Sequence, residues 1–153
     1  MDTLRSTARL QREIGDILFD ALVSSDNTDA VREFAKKLFK DAMPTSFTVG
    51  NRTYDMLSFL RGNEKSIIGH TMVERAKEMV ANLGQDDGQY LLDNQQDIPV
   101  ALRGKVMFVF TDWRHPDVSS YVYYVYWGDG RWVRDWYWLD GGWDDNDRVL
   151  RRK

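Results

Sequence analysis

Cysteine is absent from the 153 residues, which excludes a disulfide framework, a thiolate nucleophile and a Cys-ligated zinc, and fits a reducing compartment. Histidine occurs only twice, at His70 and His115. His70 and Glu74 are spaced to share a helix face, but no second nearby His or Cys completes a metal site. No nucleophile elbow, phosphate-cradling glycine loop or HExxH motif is present, so no catalytic residue, cofactor or metal is assigned. No run approaches the roughly 20 apolar residues of a membrane span, and the leading MDTLRSTARLQREIGDILFDALV lacks a signal peptide's unbroken apolar core. The expectation is a cytoplasmic chain with no membrane partner. Net charge is −3, slightly negative both in residues 1–107 and in residues 108–153, so neither part is the basic footprint of a nucleic-acid partner.

A further absence is local. Lys, Glu, Gln and Met together occur 22 times in residues 1–107 and never in residues 108–152, where the upstream frequency would give about nine. That same stretch holds all six tryptophans and 13 of the 20 aromatic residues. The gaps between them are filled mainly by Asp, Gly, Asn, Ser, Val and Arg.

The length suits a single domain, 1–153, which divides by composition into a mainly helical layer, 1–104, and an aromatic-rich β layer, 105–153. Two amphipathic helices are expected first: one over residues 3–23 with Ile14, Ile17, Leu18, Ala21 and Leu22 on one face, and one carrying Val31, Phe34, Ala35, Leu38, Phe39 and Ala42, ended by Pro44. Phe47 and Val49 then alternate ahead of Gly50-Asn51, which reads as a tight hairpin or as one strand leading into a short helix over Tyr54 to Leu60. Arg61 to Ile68 reads as an exposed loop, Thr71 to Leu83 as a long helix with Gly84 as its left-handed cap, and Asp86 to Gln95 as a short helix on an acidic surface. Strands follow over Val106 to Trp113, Tyr121 to Trp127 and Arg131 to Leu139, with a fourth around Arg148 to Leu150. Gly128-Asp129-Gly130 is a strong hairpin signal. The expected fold class is α+β, with N-terminal amphipathic helices packed on a C-terminal antiparallel sheet of three or four strands.

A sheet that size buries one face well, so rings at this density imply a recognition surface as well as a core. The candidate binding residues are Asp135, Trp136, Tyr137, Gly141, Gly142, Trp143, Asp144, Asp145, Asn146 and Asp147, and at least two of Trp136, Tyr137 and Trp143 should be exposed. The ligand expected is a protein or a carbohydrate, the latter by a lectin-like stacking of Trp on sugar rings. The alternative function is a small enzyme using the Asp112 to Asp117 loop, which follows a strand and in which His115 would serve in a general acid/base pair; its bland counterpart is a turn set by Pro116 and Asp117. Likewise the acidic run Asp144-Asp145-Asn146-Asp147 lacks the EF-hand spacing and reads as a polar turn.

The stretches TYDMLSFLRGNEKSIIGHTMVERAKEMVANLG, DIPVALRGKVMFVFTDWRHPD, WGDGRWVRDWYWLD and RVLRRK resemble an uncharacterised family of short proteins from uncultured bacteria with reduced genomes. The resemblance covers most of the chain from Arg52 onward. It implies a retained Trp framework, with variation at positions matching Asp135, Tyr137, Gly141, Gly142, Asp144, Asp145, Asn146 and Asp147. That pattern is similar to the variable segments of proteins diversified by retroelements, in which template adenines are randomised. An AAY codon treated so yields every residue except Trp, Met, Gln, Lys and Glu. Strand composition, which disfavours Glu and Lys, yields part of the same pattern.

Overall fold

Gly50 and Asn51 close the first element of the structure, a hairpin of β1 (Ser46–Val49) and β2 (Arg52–Leu57), with Gly50 at φ +58°. The computed structural model describes residues 43–153, so the two leading amphipathic helices expected from the sequence lie outside the described residues. After the hairpin come β3 (Ser66–Ile68), helix α1 (Gly69–Glu78), helix α2 (Gln85–Asp93), and single 3-10 turns at Gln95–Asp97 and Val100–Leu102. The chain continues through β4 (Met107–Arg114), β5 (Tyr121–Gly128), β6 (Arg131–Trp138), β7 (Gly142–Asp144) and β8 (Asp147–Arg152). Pro44–Lys153 forms one compact unit. Among the described residues no helix is long and apolar enough to cross a membrane.

The expected α+β class, with helices layered on a three- or four-stranded antiparallel sheet, is overturned. The described residues contain eight strands and two α-helices, with six strands in one sheet of order β1-β2-β8-β4-β5-β6 and β3 paired with β7 in a second. The main sheet is mixed, because β8 lies parallel to β4 and antiparallel to β2. Residues 54–57, expected in a helix, are strand: Tyr54 and Met56 are buried and their neighbours less so, a period of two. What settles this is a partner far along the chain, since Met56 stands opposite Leu150 and Leu57 opposite Val149. Part of the expected loop at 61–68 is β3, with Ile67 opposite Trp143.

Helix α1 also ends earlier than expected. Its buried residues Gly69, Met72, Val73 and Ala76 keep helical spacing. It stops at Val80, whose φ is +56°; Ala81 N–H donates to the Ala76 carbonyl and Val80 N–H to Lys77, which is a Schellman closure. Gly84 is instead extended (φ −122°, ψ −156°) and precedes α2.

Alternation along β4 sends neighbouring side chains to opposite faces. On one face Val109, Val122 and Val149 pack with Phe59, Met72, Val73, Ala76, Leu139 and Trp143, so α1 and the β3–β7 ribbon cover it. On the other, Phe108 stacks on Trp132 (5.3 Å between ring centroids) and meets Phe47 (5.4 Å). Helix α2 lies over this second face, with Gly88 against the rings of Trp113 and Phe110. Tyr54 hydroxyl donates to Asp87 of α2 at 2.7 Å. Burial pushes that phenol well above its ordinary pKa. Arg75 of α1 binds the Glu64 carboxylate and the Phe59 carbonyl, tying the β2–β3 loop to the helix; the Arg75 guanidinium holds Glu64 down at about 2.

Candidate functional site

The hairpin β5–β6 turns at Asp129 (φ 55°) and Gly130 (φ 80°), the two positive angles a type I′ turn requires. Its register places Tyr121 opposite Trp138, Tyr123 opposite Trp136, Val125 opposite Arg134 and Trp127 opposite Trp132. Paired residues share a face, so the four rungs form one continuous row. The row is covered at one end and bare at the other. Trp132 is 1% exposed, whereas Trp136 is 40% and Trp138 47% exposed.

At the bare end the rings hold one another. Trp136 stacks on Tyr121 at 4.4 Å, and Trp138 meets the same Tyr121 edge-on at 3.9 Å. His115 adds a third wall, edge-on to Trp136 (5.6 Å) and parallel to Tyr123 (6.3 Å). The Arg134 guanidinium lies over Trp113 and Tyr123 at 5.5 and 5.6 Å. Each contact fixes a ring that would otherwise rotate, so a ligand meeting this surface orders little on binding.

The candidate residues read from the sequence are divided by this geometry. Asp135, Trp136 and Tyr137 are exposed on the edge strand, but Asp135 and Tyr137 point to the opposite face from Trp136. Tyr137, 42% exposed, leans on Trp143 at 5.3 Å. Trp143 itself is 3% exposed and belongs to the core beneath α1. Gly142, Asp144 and Asn146 are exposed. Neither Gly141 nor Gly142 has positive φ. Gly141 is constrained otherwise, because a Cβ there would stand 2.3 Å from the Tyr137 ring.

The acidic run closes a turn. Asp147 accepts the Asp144 N–H at 2.8 Å, Asp144 accepts the Asn146 N–H at 2.9 Å, and the Arg148 guanidinium reaches the Asp145 carbonyl and, at 3.8 Å, the Asp145 carboxylate. Burial raises Asp147 to about 6. The described residues hold no group of three or more acidic or His side chains placed to ligate a metal.

The Asp112 to Asp117 segment is not a free loop. Asp112, Trp113 and Arg114 end β4, the Asp112 carboxylate accepts Asn82, and Arg114 is held by the Thr111 and Ser119 carbonyls. His115 Nδ1 accepts the Asp117 N–H at 3.1 Å, a local turn contact. The imidazole that does meet a carboxylate is His70, whose Nε2 lies 2.9 Å from Asp140 on the surface.

Tyr121, His115, Arg134 and Trp138 join the surface without having been singled out for it. The signal for three of them was in the sequence: counting outward from Asp129-Gly130 pairs Tyr121 with Trp138 and puts Arg134 on the same face. His115 follows only from the bulge in β4 between Phe110 and Arg114, which no local spacing shows. No family model, curated protein or solved structure matches the chain.

Proposed function

We propose that this protein is a non-catalytic recognition module that binds a protein ligand on the exposed end of its aromatic row. The observation that carries the reading is the pair Trp136 and Trp138, 40% and 47% exposed on one face of an edge strand, with Tyr137 between them 42% exposed on the other. Rigid aromatics beside an arginine, with short polar side chains around them, have the composition of a binding hot spot. Of the positions resembling retroelement-diversified ones, Asp135, Tyr137, Gly142, Asp144 and Asn146 are exposed, on the other face of β6 and at the β7–β8 turn, behind the row. In that arrangement the buried Trp132 and Trp143 are the framework, and the exposed residues are exchangeable.

The test compares the full chain with a Trp136→Ala/Trp138→Ala variant on an array of folded protein domains and peptides and on a glycan array. Protein ligands that bind the parent and are lost by an equally stable variant support the proposal. Loss confined to glycans replaces it with the sugar-stacking alternative, and ligands retained by the variant overturn it.

A further inference from the structure

Among the described residues strand β6 ends the sheet, and its outward rungs can be assigned. In an antiparallel ladder alternate residues direct both backbone groups at the neighbouring strand or away from it. Leu139 N–H donates to the Ser120 carbonyl on the β5 side. By alternation Trp132, Arg134, Trp136 and Trp138 direct N–H and C=O to the open side.

Two stops bound this edge. At Trp132 the rung is filled by Gln95, whose Oε1 accepts the Trp132 N–H at 2.9 Å and whose Nε2 donates to the Trp132 carbonyl at 3.1 Å. A side-chain amide thus occupies the place of a neighbouring strand's peptide. At the other end the Trp138 carbonyl accepts the Gly141 N–H as the chain turns toward β7. Between the stops the N–H and C=O of Arg134 and Trp136 and the N–H of Trp138 are directed outward, and the Trp138 carbonyl keeps a second lone pair.

We infer that β6 pairs antiparallel with β6 of a second copy about a two-fold axis through Trp136. Charge and the length of strand left to pair select the register. An axis at Arg134 sets guanidinium against guanidinium, and one at Asp135 sets carboxylate against carboxylate. An axis at Tyr137 leaves only Trp136–Trp138 as strand on both copies. The axis at Trp136 pairs residues 134–138 with their counterparts and places Arg134 opposite Trp138, a cation against an aromatic face, and Asp135 opposite Tyr137. The Trp136 N–H, held in the single copy by its neighbour Asp135 at 2.8 Å, passes to the Trp136 carbonyl of the second copy. The interface is isologous and closes on itself. It joins the two aromatic rows into one platform across the axis, and it needs no ligand to form.

A five-residue strand pair is small beside the roughly 800 Å² per partner of standard interfaces, so association should depend on concentration. Sedimentation equilibrium of the full chain from micromolar to millimolar should show monomer passing to dimer. Arg134→Pro deletes one outward N–H and leaves the β5 ladder intact, a substitution edge strands accept; it should remain monomeric, while Arg134→Ala, which keeps the N–H, should still dimerise more weakly. A parent that stays monomeric throughout, or an Arg134→Pro protein that dimerises like the parent, overturns the inference. Should that variant fail to fold, amide exchange on the parent decides. Protection at Arg134, Trp136 and Trp138 must rise with concentration while Val133, Asp135 and Tyr137 stay unchanged, and protection independent of concentration overturns the pairing.

Discussion

Gly69 stands so close to Leu139 that a β-carbon on it would lie 2.5 Å from the Leu139 carbonyl oxygen and 2.7 Å from its Cα. Neither is a side-chain atom that could rotate away, and Trp143 Nε1 is equally near at 2.7 Å. The first turn of α1 is therefore seated directly on the β6–β7 turn, with the Gly69 N–H donating to the Gly141 carbonyl at 3.2 Å. Gly69→Ala should destabilise the protein by about 1–3 kcal/mol through overpacking, although alanine is the better helix former. Urea denaturation of the two proteins measures it.

Val80→Gly should do the reverse. A β-branched residue at φ +56° carries strain of about 1–3 kcal/mol, and its side chain, 70% exposed, gains little packing in return. Glycine removes the strain but loosens the unfolded chain by roughly 0.4–1 kcal/mol, so a net gain of about 1 kcal/mol is expected in the midpoint of the same denaturation.

Burial of Asp147 sets a pH dependence of known sign. Its carboxyl titrates near 6 in the folded protein and near 3.8 when unfolded, so between these values the folded state holds the extra proton. Stability should fall as pH rises from about 4 to about 6, by on the order of 3 kcal/mol from this group. Glu64, held at about 2 by Arg75, acts oppositely: its contribution is present above the ordinary 4.5 and is lost as pH falls toward 2. Asp147→Asn keeps an acceptor for the Asp144 N–H and should flatten the curve between 4 and 6 while leaving the acid limb, as thermal melts across pH would show.

Trp132 and Trp138 share one face of β6 and should differ sharply on truncation. Trp132→Ala should cost roughly 3–5 kcal/mol, whereas Trp138→Ala should cost about 1 kcal/mol, the value of its contact with Tyr121.

Gly141 and Tyr137 should be coupled. Gly141→Ala drives a methyl group into the Tyr137 ring, which must swing off Trp143. In a Tyr137→Ala background the same change should cost less, by a coupling of about 0.5–3 kcal/mol in a double-mutant cycle. An additive result would show the two positions to vary independently.

The hairpin β5–β6 was legible because its signal is local: Asp129-Gly130 at the turn and alternation on both sides. Strand β2 was not, since Met56, Leu57 and Leu60 form a short apolar run whose period fits either element. Its state is decided by β8, ninety-odd residues later, through Met56 opposite Leu150. Three-residue strands such as β3 and β7 carry too few positions for a period to show. The split of the candidate site has a similar origin. Trp132, Trp136 and Trp143 are alike in composition and local context, and only the cover over Trp132 from Phe108 and Gln95, and over Trp143 from α1, separates the buried two from the exposed one.

The position of β8 between β2 and β4 also bears on how the protein is made. Of the described strands β1 and β2 leave the ribosome first, yet their inner neighbour is among the last segments to emerge. Until then the β2 edge and the matching edge of β4 stand open, in a sheet whose central parallel pairing is long-range and slow to form. The nascent protein therefore spends its synthesis with a gap in its middle. In that interval both edges of the slot that β8 fills at the end are free to pair with any other strand.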